Sequence, residues 1–260
     1  MPRSRVLAAC AVPVVALVAV AGLAPLPFAI AQPGTTTDVL GKDGGREVIT
    51  ITGAPVRPTS GQLRMTTILA TGPGTDVDLG DVAGAWFRTD RAVLPHDSVY
   101  PPGKSDAEIE ERNLGQMKES QDAAALAALG YLKLDPDQVE VDLHLADVGG
   151  PSAGLLFALG VVDKLDGDGD GGDLTGGKVV AGTGTIAPDG KVGAVGGVSL
   201  KTQAASRDGA TVFLVPEDEC ADARAELPEG MRLVPVSTLS GAVASLRDLG
   251  QGQESKVPSC

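Results

Sequence analysis

Two residues stand where their neighbours can turn them into a nucleophile and a base. Gly149-Gly150-Pro151-Ser152-Ala153-Gly154 lies between an alternating segment, 139–145, and an apolar one, 153–165, so Ser152 is expected in the first turn of a helix. There its hydroxyl meets backbone N–H groups without intrahelical partners, and these, with the positive helix end, can hold an oxyanion. Gly150, Pro151 and Ala153 complete the turn, and the flanking glycines let a substrate backbone come close. By composition alone, a serine in such a turn is more commonly an ordinary helix-start residue. Lys201 follows a run that holds only Gly, Ala, Val, Ser and Leu from Val192 onward. Burial there lowers an amine pKa toward the working pH, which a lysine base requires. Taken singly, Lys201 reads as a solvated helix lysine.

Other patterns carry less. His144 shares a strand face with Asp142 and is near Ser152 in sequence, which invites a Ser-His-Asp arrangement; an alternating strand more simply turns that face outward. His96, in Pro95-His96-Asp97, reads as a surface residue. Gly103-Lys104-Ser105 is the second half of a phosphate loop, but Ser98 stands where its first glycine belongs. The loop from Asp166 to Asp173 starts like a calcium loop and has Gly177 where the bidentate glutamate belongs, so a solvated acidic loop is expected. Neither a metal nor a cofactor is called for.

The elements that must position Ser152 and Lys201 follow from periodicity. Two β-rich runs, 47–52 and 63–69, are separated by turn residues and are expected to pair with each other. Ser105-Asp-Ala-Glu108 has the capping-box form and opens a long amphipathic helix to about Leu129, stopped by Gly130. Segment 139–145 is a half-buried strand, and 153–165 a buried helix. Strands over 178–183 and 191–195, joined through Pro188-Asp189-Gly190, are expected as a hairpin. Helices over 199–208, 218–227 and 239–249 alternate with strands over 211–215 and 233–236. The fold class is α+β (mixed α/β), a mixed sheet with helices packed on it.

Composition narrows the function. The net charge is −13 and the 21 Lys and Arg residues form no dense cluster, which argues against nucleic-acid binding, as do few aromatic rings. Arg3 and Arg5 precede an uncharged run from Val6 to Ala31, and Asp38 is the first charge after it, which places the body outside the cytoplasm. The run is long enough for a retained transmembrane anchor. The competing reading is a signal segment cleaved near Ala31, because Ala29-Ile30-Ala31 fits the small-x-small rule. Cys10 reads as membrane filler; Cys220 and Cys260 form one disulfide or stay as two thiols. The expected parts are 1–33 as leader, 34–134 as a β-rich and long-helix part, 135–250 as the catalytic part and 251–260 as a tail.

Three motifs in order carry a resemblance: Gly150-Pro151-Ser152-Ala153-Gly154, then Thr183-Gly184-Thr185-Ile186, then Gly190 to Lys201. They resemble the proteolytic domain of the Lon peptidases, and Arg207-Asp208-Gly209-Ala210 with Val212 to Pro216 continues it. The resemblance implies Ser152 as nucleophile, Lys201 as catalytic lysine and Thr183 as the residue that orients its amine. Val99-Tyr100-Pro101, Asn113 to Met117 and Ser120 to Ala124 are similar to membrane-anchored bacterial Lon-like proteins with a PDZ module. This sequence departs from them after Leu129, passing straight into the strand before Ser152, so the PDZ module is missing. It also has Gly149 where many ATP-dependent Lon proteins have aspartate. The implied function is an ATP-independent serine endopeptidase acting on unfolded or flexible proteins. The alternative is a non-catalytic membrane-associated scaffold on the same fold. Lon-type domains often form rings, so a homo-oligomer is left open.

Overall fold

The computed structural model of the chain describes residues 11–16, 20, 22–145 and 149–260. Arg3, Arg5, Cys10 and part of the uncharged run lie outside the described residues. Contacts divide the chain into a smaller unit, 1–32 with 69–106, and a larger one, 33–68 with 107–260.

The strands in chain order are β1 (Phe28–Asp38), β2 (Lys42–Asp43), β3 (Arg46–Glu47), β4 (Ile49–Thr52), β5 (Gln62–Ala70), β6 (Ala92–Pro95), β7 (Glu140–Leu143), β8 (Val179–Gly182), β9 (Thr185–Ile186), β10 (Val192–Gly193), β11 (Val212–Pro216) and β12 (Arg232–Val236). After β1 the α-helices are α1 (Leu79–Trp86), α2 (His96–Val99), α3 (Asp106–Leu132), α4 (Gly154–Leu165), α5 (Val198–Arg207), α6 (Cys220–Arg224) and α7 (Leu239–Gly250).

In the larger unit β12, β11, β8, β5 and β1 follow one another in the main sheet, with β11 parallel to both β12 and β8, and β5 parallel to β8. Strand β11 explains why both faces are covered. Its five residues are all buried, with Val212 and Leu214 in the main core and Phe213 and Val215 in a second core on the opposite face. A period of two with apolar residues on both sides leaves neither face to water. Helix α4 fills the main core: every residue from Gly154 to Lys164 is buried, the mark of a helix apolar on all sides. Asp163 is buried with it; desolvation raises its carboxyl pKa to about 6, against a hydrogen bond from the Leu174 N–H, with Asp173 pushing the same way as burial and Arg57 opposing it. Arg57 also donates to the Gly171 carbonyl at 3.0 Å, so the acidic loop after α4 is held by an arginine.

Two strand pairings differ from the sequence-based expectation. β4 pairs antiparallel with β7, Ile49 opposite Leu143, and not with β5. The hairpin is the short β9–β10 pair, whereas β8 joins the main sheet between β5 and β11. In both cases the runs were recognisable as strands, but a partner is chosen by packing of distant segments, which local periodicity does not encode. Helix α3 continues past Gly130 to Leu132, and the predicted helix over 218–227 is a 3₁₀ turn followed by the short α6. Residues 133–139 alone connect α3 to β7, the place where the PDZ module of the similar proteins is expected.

The smaller unit holds β6, paired antiparallel with the first residues of β1, and α1 packed beside them. Thus Phe28–Ala31, the end of the uncharged run, is strand and not helix; Ala29 and Ala31 are 1% and 0% exposed. Among the described residues no helix is long and apolar enough to cross a membrane.

Candidate active site

Ser152 sits just before α4, not in its first turn as expected, because Ala153 takes the N-cap position with helical backbone angles. Several contacts fix the turn. The Gly150 N–H donates to the Asn113 carbonyl at 3.0 Å, and Ser120 Oγ donates to the Pro151 carbonyl at 3.0 Å, so α3 holds the turn from one side. From the other side the Gly184 N–H donates to the Ser152 carbonyl at 3.0 Å. Gly150 has φ +91°, a conformation that favours glycine. At Gly149 a Cβ would come within 2.7 Å of Asn113 Cβ, so a side chain there requires α3 or the turn to shift. Pro151 is exposed and Ala153 is buried.

Lys201 lies on α5 and is 3% exposed. Its Nζ donates to Thr183 Oγ1 at 3.0 Å, and Thr183 Oγ1 donates to the Ser152 carbonyl at 3.3 Å. Thr183 is fully buried at the end of β8, where its N–H donates to the Leu214 carbonyl. The three candidate residues are thereby linked through one hydroxyl. Desolvation lowers the Lys201 pKa to about 8, and the charge of Glu219 works against that shift. An amine so placed is partly neutral near neutral pH and able to take a proton.

Ser152 and Lys201 line the same cavity, of about 240 Å³, together with Thr67 and Ile68 of β5, Thr185 of β9 and the loop Ala194-Val195-Gly196. His144 is not among its lining residues; Arg46 engages the outer face of β7, with Asp142 at 2.8 Å and His144 Nδ1 at 3.3 Å. His96 is likewise used elsewhere, its Nε2 within 3.1 Å of the Pro73 carbonyl.

Sequence reasoning missed two carboxylates. Glu219 accepts a hydrogen bond from the Val195 N–H at 3.0 Å, and Asp222 accepts one from the Val198 N–H at 3.1 Å, so the 3₁₀ turn and α6 clamp the loop that leads into α5. Burial raises the Glu219 pKa, while the Val195 N–H and Lys201 oppose the rise. Only the acidic character of 217–222 was available in the sequence as a signal. Cys220, within the same segment, is disulfide-bonded to Cys260, which resolves the open alternative in favour of one bridge.

Residues 75–245 match the model of the Lon protease (S16) C-terminal proteolytic domain. Among curated proteins, the chain is 29% identical over 188 residues to a Lon protease of Rhizobium meliloti, covering 65% of this chain and 22% of that protein. It is 32% identical over 170 residues to a Lon protease of Roseiflexus castenholzii, covering 60% of this chain and 20% of that protein. A Lon protease of Malacoplasma penetrans is 32% identical over 142 residues, 49% of this chain and 17% of that protein. The chain therefore spans about a fifth of the length of the curated relatives it matches. The matched region contains the Ser152 turn, Thr183 and Lys201, and the chain belongs to the Lon protease (S16) C-terminal proteolytic domain family, the serine endopeptidase part of those proteins.

Proposed function

We propose that this chain is an ATP-independent serine endopeptidase that cuts unfolded or flexible proteins outside the cytoplasm, with Ser152 and Lys201 as its catalytic dyad. The observation that carries this reading is the buried Lys201 amine, held by Thr183 and opening into the cavity that Ser152 lines. In the neutral form Lys201 takes the Ser152 proton as the hydroxyl attacks a peptide carbonyl. The acyl-enzyme forms as the amine leaves with that proton, and water then releases the acyl group. In this mechanism the oxyanion is held by backbone N–H groups of the turn that carries Ser152 into α4.

The extracytoplasmic location is supported by the order of charges at the N-terminus and by the Cys220–Cys260 disulfide, a bond that persists in oxidising compartments. A retained anchor fits better than cleavage near Ala31, since that cut would remove the β1 residues that pair with β6. The span then covers residues 6–25, roughly enough to cross the hydrocarbon core as a helix.

The test is cleavage of casein by the full chain without nucleotide. The wild type is expected to cut, and Ser152→Ala to lose activity by several orders of magnitude; equal cutting by that variant would sink the mechanism.

A further inference from the structure

The chain's single tryptophan is on the outside of the smaller unit. Trp86 is 75% exposed and Phe87 is 88% exposed, at the end of α1. Val82 and Ala85 of that helix pack with Phe28, Ile30, Val77 and Val93, so the unit's own core is served by the other side. At about 100° per residue, Leu79, Ala83, Trp86 and Phe87 fall within one arc about 100° wide. Leu79 is 50% exposed, and Ala83 is exposed as well. Asp81, the one charged residue of α1, lies on the opposite side and closes a capping box with Asp78: the Asp81 N–H donates to Asp78 Oδ1 at 2.9 Å and the Asp78 N–H to Asp81 Oδ2 at 3.1 Å.

A second observation says what covers this arc. The apolar N-terminal run enters the fold at Leu26, whose N–H donates to the Val77 carbonyl at 2.8 Å, one residue before the α1 N-cap. Among the described residues of that run, Val12, Val14, Val15, Val20 and Leu23 are between 58% and 76% exposed. One backbone bridge thus joins an uncovered apolar run to an uncovered aromatic arc, and both require an apolar medium.

We propose that α1 rests in the interfacial layer of a lipid bilayer, with Leu79, Ala83, Trp86 and Phe87 dipping into it beside the point where the anchor enters. This rests on the reading of residues 6–25 as a retained anchor. An indole with one polar edge suits the headgroup boundary, where amphipathic helices bury their apolar side by roughly 5–10 Å. Three side chains of the eight-residue α1 and one at its C-cap fall well short of the roughly 800 Å² per partner of a standard protein interface, which disfavours a second copy as occupant. For lipid no such area is needed, because the tether keeps α1 at the surface at high effective concentration. The smaller unit is then attached at two points, which sets its orientation to the membrane.

The full chain reconstituted in vesicles of phosphatidylcholine with phosphatidylglycerol tests this, with Trp86 as the only indole reporter. Trp86 emission is expected to move to shorter wavelength than in detergent-free unfolded chain, and to be largely lost when the lipids are brominated near the headgroup end of their tails. The double variant Leu79→Ser, Phe87→Ser changes only exposed positions; it is expected to stay with the vesicles and to lose most of that quenching. Retention on vesicles with Trp86 fully water-exposed would overturn the α1 placement and leave the anchor standing. Failure of the unaltered chain to stay with vesicles would overturn both. Shielding of Trp86 that bromolipid does not quench, and that disappears on dilution in the bilayer, would assign the arc to a second copy and overturn the proposal.

Discussion

Lys201 is under two opposed influences, and in the proposed dyad their balance sets the pH at which the chain works. Burial pulls its pKa down to about 8, while the Glu219 carboxylate favours the charged amine and pulls it up. The base must be neutral, so the rate is expected to rise with pH through that value and then level off. Glu219→Gln keeps an acceptor for the Val195 N–H and removes the charge, so the Lys201 pKa should fall and the rising limb move to lower pH. The ratio of variant to wild-type kcat/KM is then above one below about pH 7 and returns toward one where both amines are neutral. An unshifted profile would remove Glu219 from the control of Lys201. The sequence motifs singled out Ser152 and Lys201, which the structure brings to one cavity, but not Glu219: its contact depends on the turn before α6 folding against the loop at 194–196, which spacing along the chain does not announce.

At the scale of elements, α4 and the turn before it tolerate little change. A Cβ on Gly154 would come within 2.8 Å of Ser120 Oγ and 2.9 Å of Ile186 Cγ2, pressing α4 away from both α3 and β9. Gly154→Ala is expected to destabilise the fold by about 1–3 kcal/mol, read as a lowered denaturant midpoint, and to reduce kcat as the Ser152 turn shifts. Gly115→Ala in α3 is the control: nothing lies within 4 Å of its Cβ, and the substitution should stabilise by about 0.5–1 kcal/mol. Elements with local punctuation were legible: α5 ends before Gly209 at φ +87°, and Thr238 caps α7 through the Gly241 N–H. What escaped was partnership, since β4 and β7 meet across about ninety residues and nothing local distinguishes β7 from β5 as the mate of β4.

Over the whole molecule, the Cys220–Cys260 bridge closes a loop of 40 residues in separation that contains β12 and α7. In the chain-entropy picture such a loop is worth about 4 kcal/mol, so reduction should lower the thermal midpoint by roughly 10 °C. The variant Cys220→Ser should start near the reduced value and show no response to dithiothreitol; an equal midpoint with and without reductant in the wild type would remove the bridge from the stability account. Because Cys220 follows Glu219 directly, reduction is also expected to loosen the clamp on the loop before α5.

On the proposed reading of the N-terminal run as a membrane leader, the burial of Ala29 and Ala31 in β1 makes its fate a contest of rates. A processing enzyme needs an accessible extended backbone, and once β6 has zipped onto Phe28–Ala31 that bond is out of reach. Trimming then succeeds only on chains that dawdle. On that reading, a variant in which β6 docks slowly, such as Val93→Gly, should accumulate a shortened form detectable by N-terminal sequencing, and a promptly folding chain should keep the proposed anchor.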